Sequence, residues 1–73
     1  MMDTEDIKAL ILQGLPDAEV KVTGKNDHFS AHVVSASFKG LSRIEQHKRV
    51  YAALGARMGQ EVHALQLTTR TPE

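Results

Sequence analysis

The apolar residues of this 73-residue chain change their spacing along the sequence, and this change most constrains the fold. They recur every three or four positions in residues 4–15 and again in 42–58, which is typical of amphipathic helices. In residues 18–24, 29–38 and 61–69 the pattern predicts strands, by alternation in 18–24 and by Val, Ala and Phe content in 29–38. The order α-β-β-α-β predicts an α+β domain, with both helices on one face of a small three-stranded mixed sheet.

Capping residues predict where each helix begins. Asp3 or Thr4 precedes the first helix, and Ser42 with Glu45 forms the S-x-x-E capping box of the second. The predicted inward faces are Ile7, Leu10, Ile11 and Leu15 in the first helix, and Ile44, Tyr51, Leu54 and Met58 in the second. Stop signals for the two helices are Gly14 with Pro16, and Gly55 with Gly59.

Composition predicts one domain over residues 1–73 with a mainly aliphatic core. Hydrophobic residues make up 41%, and the chain has no cysteine, which excludes disulfides, a thiol nucleophile and a metal site built from its own thiolates. Nine basic residues balance nine acidic ones, whereas nucleic-acid-binding domains usually carry a basic excess. The acidic N-terminus and the lack of a long apolar run predict a soluble cytoplasmic protein with no membrane segment.

Two histidines are predicted to lie at one end of the sheet. Residues 24–28 read as the hairpin loop, and this loop carries His28. A strand–helix–strand crossover normally returns the chain parallel to its first strand, so the third strand should start at the same end. His63, near the start of that strand, is therefore expected at the same rim as His28, since adjacent strands lie about 4.8 Å apart and one intervening strand doubles this.

Each histidine also has a simpler explanation. The imidazole of His63 could bond to the backbone and to water, and two imidazoles do not complete a structural zinc site, which takes four ligands. A complete site would need Asp27, Glu61 or another molecule. His32 is explained as a surface residue and His47 as a half-buried packing residue.

The chain offers no catalytic constellation, so we expect no enzyme activity. The sequence contains no recognisable nucleophile–base pair, carboxylate pair or phosphate-binding glycine loop, and Gly24 and Gly40 are predicted to be turn glycines. A local basic face is a candidate docking surface for an acidic ligand or partner, although such faces are commonly only solvated. Its members are Lys39, Arg43, Lys48 and Arg49.

The chain resembles the BolA family over almost its whole length, in HFSAHVVSASFKGLSRIEQHKRVYAAL and EVHALQLTTRTPE. The motifs that carry the resemblance are Phe38-x-Gly40-x-Ser42-Arg43, the run from His47 to Tyr51, and the pair His63-Ala64. The resemblance implies a fold related to the type II KH domain. It also implies pairing with a monothiol glutaredoxin and a 2Fe-2S cluster shared across the interface.

In that family the histidine that opens the last strand is a cluster ligand, which corresponds to His63, and the loop between the first two strands supplies a second, for which His28 is the candidate. The remaining ligands would be the glutaredoxin cysteine and the thiol of bound glutathione. Imidazole ligands raise the potential of such a cluster and make it acid-sensitive.

A second hypothesis is a KH-like nucleic-acid-binding transcriptional regulator, suggested by the element order and the basic second helix. The zero net charge and the missing G-x-x-G backbone clamp argue against it. A self-contained zinc module has too few ligands.

Overall fold

The computed structural model describes residues 3–25, 28–55 and 64–72. It contains the helices α1 (Thr4–Gly14) and α2 (Arg43–Leu54), the strands β1 (Glu19–Lys25), β2 (His28–Val34) and β3 (Ala64–Arg70), and a 3₁₀ turn at Ala36–Phe38. The strands lie in the order β1-β2-β3, with β1 antiparallel and β3 parallel to β2. The predicted α-β-β-α-β order and mixed sheet are confirmed.

Helix α1 begins and packs as its sequence predicts. Asp3 is the N-cap: its carboxylate accepts from the backbone N–H of Asp6, and the Asp6 carboxylate accepts from the backbone N–H of Asp3. Ile7 and Ile11 are fully buried, and Leu15 follows on the same face. Two reciprocal bonds therefore satisfy donors that an uncapped helix would leave open.

The sheet has one covered and one open face. On the central strand β2, the side chains of Phe29, Ala31 and Val33 are buried beneath the helices, whereas His28 and His32 on the other face are exposed. This alternation follows from the two-residue period of a strand. The open face therefore presents polar side chains, among them both histidines of β2.

The second strand is shorter than predicted. We expected it to run through residues 29–38, but it ends at Val34 and Ala36–Phe38 form a 3₁₀ turn. Ser35 ends the ladder: its backbone N–H donates to the carbonyl of Arg70, while its hydroxyl accepts from the backbone N–H of Ser37. Local side-chain bonds of this kind compete with strand pairing.

The predicted inward face of α2 is wrong at two positions. Val50 and Leu54 are buried, but Ile44 is 69% and Tyr51 38% exposed. The covered residues recur as 46–47, 50 and 53–54, a helical stripe rotated away from Ile44 and Tyr51. The prediction chose the largest apolar side chains, whereas the packing of α2 on its neighbours decides which stripe is covered.

The ends of α2 agree with the prediction where they are described. Ser42 and Glu45 form the capping box, and Gly55 ends the helix with φ 60°. Met58 and Gly59 lie outside the described residues. Among the described helices, none has both the length and the apolar composition needed to cross a membrane.

Candidate metal-ligand site

The parallel pairing of β2 and β3 brings the starts of these strands to one end of the sheet. His28 is the register partner of Ala64, as the crossover predicts. Ala64 follows His63 in the sequence. His63, Asp27 and Glu61 lie outside the described residues, so the expected meeting of the two imidazoles stays a prediction.

His28 lies on a strand rather than in the predicted loop. It pairs with Lys25 as the first residue of β2, and its side chain is exposed on the open face. Within the described part of the chain, its imidazole makes no hydrogen bond or ion pair. The described residues therefore occupy neither ring nitrogen, as a ligand shared with another molecule requires.

Gly24 fixes the backbone that carries His28. It is a residue of β1, not the predicted turn glycine, and it pairs with Phe29 at φ 137°. A Cβ at this position would overlap the carbonyl oxygen of His28 and lie 2.7 Å from the Cα of Phe29. A glycine inside an alternating strand indicates such close approach, and this signal could have located Gly24 from the sequence.

The described donors do not complete a metal site. Residues 3–25, 28–55 and 64–72 contain no group of three or more His, Asp or Glu side chains arranged to hold a metal ion. A single exposed imidazole binds a metal weakly unless further ligands converge on it. Any metal centre at His28 therefore needs donors beyond the described residues.

The other two histidines lie apart from this end. His32 is exposed on the open face and pairs with Thr68 and Lys21, four residues or two strand repeats from His28. His47 is half-buried on α2, as predicted. Among the described residues, neither belongs to a group of three or more His, Asp or Glu side chains that could hold a metal ion.

The basic residues of the second helical segment are all exposed. Lys48 and Arg49 line a shallow hollow on the outer side of α2 with Glu45, whereas Lys39 and Arg43 lie at its N-terminal end. The backbone N–H of Ser42, which donates to the Glu45 carboxylate, and next the Ser42 side chain hold the pKa of Glu45 below its usual range, with smaller contributions from the two cations. The glutamate thus stays ionised and offsets part of the positive charge.

A carboxylate network that the sequence analysis missed secures the β2–α2 connection. The Asp17 carboxylate accepts hydrogen bonds from the Ser35 hydroxyl (2.7 Å), the Ala36 backbone N–H (3.0 Å) and the Ser37 hydroxyl (3.0 Å). The bond from Ser35, followed by that from Ser37, lowers the pKa of Asp17 from its ordinary value of 3.8. The partners lie 18 to 20 positions apart, so no local pattern indicates them.

The described residues form a small α+β domain with an exposed imidazole at one end of its sheet. The family model for BolA-like proteins matches residues 14–73, and the chain belongs to the BolA family. The solved structure of a BolA homologue from Coxiella burnetii superposes with a TM-score of 0.87 at 41% identity, covering 99% of this chain and 94% of that one.

Two relatives show how much of a longer protein this similarity spans. The chain is 47% identical to human BolA-like protein 1 over 49 residues, which are 67% of this chain and 36% of the relative. It is 38% identical over 50 residues to the Haemophilus influenzae protein named DNA-binding transcriptional regulator BolA, covering 68% of this chain and 48% of the relative. The chain therefore matches less than half the length of either protein.

Proposed function

We propose that this BolA-family chain is a non-enzymatic adaptor that supplies histidine ligands to a 2Fe-2S cluster shared with a monothiol glutaredoxin. The observation that carries the proposal is the exposed imidazole of His28, which has no hydrogen-bond partner among the described residues, at the end of the sheet where β3 also begins. His63, one residue before the register partner of His28, is the second ligand in the proposal.

The donor chemistry explains why a partner is required. The chain has no cysteine, so it cannot supply thiolates to a cluster. The partner's cysteine and the thiol of its bound glutathione complete the ligand set. The cluster, when bound, would be an electron-accepting centre with mixed nitrogen and sulfur ligation.

The basic residues of the α2 region support docking of an acidic partner surface or of the carboxylates of glutathione. Lys48 and Arg49 are exposed beside one hollow, and Arg43 and Lys39 precede them. An acidic partner surface would mainly raise the rate of association with these cations, since exposed ion pairs contribute little to affinity.

Cluster assembly with substituted chains tests the proposal. The chain is mixed with a monothiol glutaredoxin, glutathione, iron and sulfide, and the visible absorption and circular dichroism spectra are recorded. We expect His63→Ala and His28→Ala each to change the heterodimer spectrum and to shorten the lifetime of the cluster. His32→Ala is the matched control, because it removes an exposed imidazole from the same strand and face.

The expected control result is a wild-type spectrum and lifetime for His32→Ala. The proposal fails if the spectrum and cluster lifetime remain unchanged in both His63→Ala and His28→Ala. Loss of the cluster spectrum in all three variants, His32→Ala included, would show that any histidine substitution disturbs the complex. That result would also contradict specific ligation by His28 and His63.

A second candidate function is nucleic-acid binding, which the name of the Haemophilus influenzae relative favours. The exposed cations of α2 would contact phosphates, and affinity would then fall steeply as salt concentration rises. Gel-shift titrations of DNA and RNA at two salt concentrations test this. No shift at low salt removes the candidate, and Lys48→Gln with Arg49→Gln should reduce any binding that occurs.

A further inference from the structure

The outer edge of β3 is poorly protected against pairing with another strand. β3 lies at one edge of the sheet, and residues 64–69 contain neither a charge nor a proline. The opposite edge, β1, carries Glu19, Lys21 and Lys25. Natural edge strands usually avoid pairing by means of charges, prolines or bulges, so the two edges differ in their capacity to accept a further strand.

The exposed apolar residues of α2 lie on the same side of the molecule as this edge. Ala53 faces α1, because a Cβ added at Gly14 would lie 2.7 Å from the Cβ of Ala53. Each helical residue turns about 100°, which places Ile44 and Tyr51 about 180° and 200° around α2 from Ala53. Since α1 packs on β1, the flank away from α1 is the β3 side.

The leucines of β3 extend this apolar surface. Leu65 and Leu67 point toward the helices but are only half-buried, whereas Ala31 and Val33 of the central strand are fully buried. We call Ile44, Tyr51, Leu65 and Leu67 the edge strip. In the described part of the chain, Ile44 and Tyr51 are the large hydrophobic side chains that stay exposed.

We propose that the outer edge of β3 and the edge strip bind a second copy of this chain. The two β3 strands pair antiparallel about a two-fold axis at Leu67, the centre of Ala64–Arg70, and form a continuous six-stranded sheet. This register sets Thr68 opposite Gln66 of the partner subunit and Arg70 opposite Ala64 of the partner subunit. No like charges face each other, and both α2 flanks approach across the axis, covering Ile44 and Tyr51.

Self-pairing suits this strand because its sequence is uncharged except at one end. Like charges directly opposite in an antiparallel pair are destabilising, and the two-fold register of β3 contains none. The proposal concerns the isolated chain and does not depend on the cluster.

Sedimentation equilibrium of the full chain over a range of concentrations gives the first test. We expect a reversible monomer–dimer equilibrium. Tyr51 is the single tyrosine and the chain has no tryptophan, so its intrinsic fluorescence reports directly on the edge strip and should change over the same concentrations. A monomer at about 1 mM would overturn the proposal.

Two double variants test the register. In the two-fold arrangement, Gln66→Lys with Thr68→Lys creates two lysine–lysine pairs, whereas Gln66→Lys with Thr68→Glu creates two lysine–glutamate pairs. Both side chains are exposed, so each monomer should keep its fold, which far-UV circular dichroism checks. We expect the dimer Kd of the lysine–lysine variant to be about tenfold higher than that of the lysine–glutamate variant.

A third variant separates this surface from others. Ile44→Asp introduces a charge on the 69% exposed side chain and should weaken the dimer while the monomer stays folded. Equal Kd values for the two double variants, or an unchanged Kd for Ile44→Asp, would place the contact elsewhere and overturn the proposal.

Discussion

At the scale of single residues, Gly24 controls where the backbone of His28 can lie. Its φ of 137° is a conformation that residues with a side chain rarely adopt, and its Cα faces the carbonyl of His28 across the hairpin. The strand thus combines two requirements, a positive φ and the absence of a Cβ, that only glycine meets together.

We expect Gly24→Ala to destabilise the fold by about 3 kcal/mol, because backbone strain and steric overlap each cost about 1–3 kcal/mol. Urea unfolding followed by circular dichroism measures this, and amide shifts of β2 report the displacement of His28. Gly40→Ala is the matched control: Gly40 also has positive φ, at 82°, but nothing lies within 4 Å of its added Cβ. It should cost about 1–2 kcal/mol, and equal losses would contradict the steric argument.

Asp17 makes stability depend on pH. Its pKa is lowered in the folded chain, chiefly by the Ser35 hydroxyl, so the ionised carboxylate favours the fold. This contribution is complete above the ordinary value of 3.8 and is lost as the pH falls below it, through the lowered folded pKa. The group therefore acts on stability only in acid.

We expect Asp17→Asn to be less stable than the wild type at neutral pH, with a difference that shrinks as the pH is lowered below 3.8. Thermal melts at a series of pH values measure it. Glu5→Gln serves as the control, because it removes one exposed negative charge without touching the network. A difference that stays constant through the acid range would show that ionisation of Asp17 does not contribute.

At the scale of elements, the crossing of α1 and α2 depends on one missing side chain. Gly14 lies at the end of α1, where a Cβ would stand 2.7 Å from the Cβ of Ala53. Alanine normally favours a helix over glycine by about 1 kcal/mol. Here the overlap works against that preference, since the Cβ of Ala53 is fixed to the α2 backbone and cannot move alone.

We expect Gly14→Ala to reduce the free energy of unfolding by about 1–2 kcal/mol, since overpacking of about 1–3 kcal/mol outweighs the gain in helix propensity. A double-mutant cycle with Ala53→Gly checks the cause. Gly14→Ala should cost less, or become stabilising, in the Ala53→Gly background, because the space is then open. Additive effects of the two substitutions would contradict a direct contact.

Local sequence signals predict the ends of the elements better than their packing. The capping box of Ser42 with Glu45 and the cap at Asp3 follow from side chains within four positions, so both helix starts are confirmed. The buried stripe of α2 depends on where α1 and the sheet lie. Because α2 also carries apolar side chains beside that stripe, such as Tyr51, the spacing of apolar residues does not decide which face of the helix is buried.

At the scale of the whole molecule, topology accounts for what the sequence could predict about the candidate site. The parallel return of β3 requires only the handedness rule for crossovers, and it correctly pairs the start of β3 with His28. A glycine inside an alternating strand is a usable signal for Gly24, but the residues that it approaches follow only from the register of β1 against β2. The Asp17 network was missed for the same reason, since its partners meet only after folding.

A single core predicts which substitutions the domain tolerates. Phe38 is fully buried in the cluster beneath both helices, while Ile44 is 69% exposed. Phe38→Ala should cost about 3–5 kcal/mol, a large part of the stability of a domain this small, roughly 4–11 kcal/mol at typical values per residue. Ile44→Ala, measured where the chain is monomeric, should change stability by less than about 0.5 kcal/mol. Chemical denaturation compares the two, and a comparable loss at Ile44 would return that residue to the core that the sequence alone predicted for it.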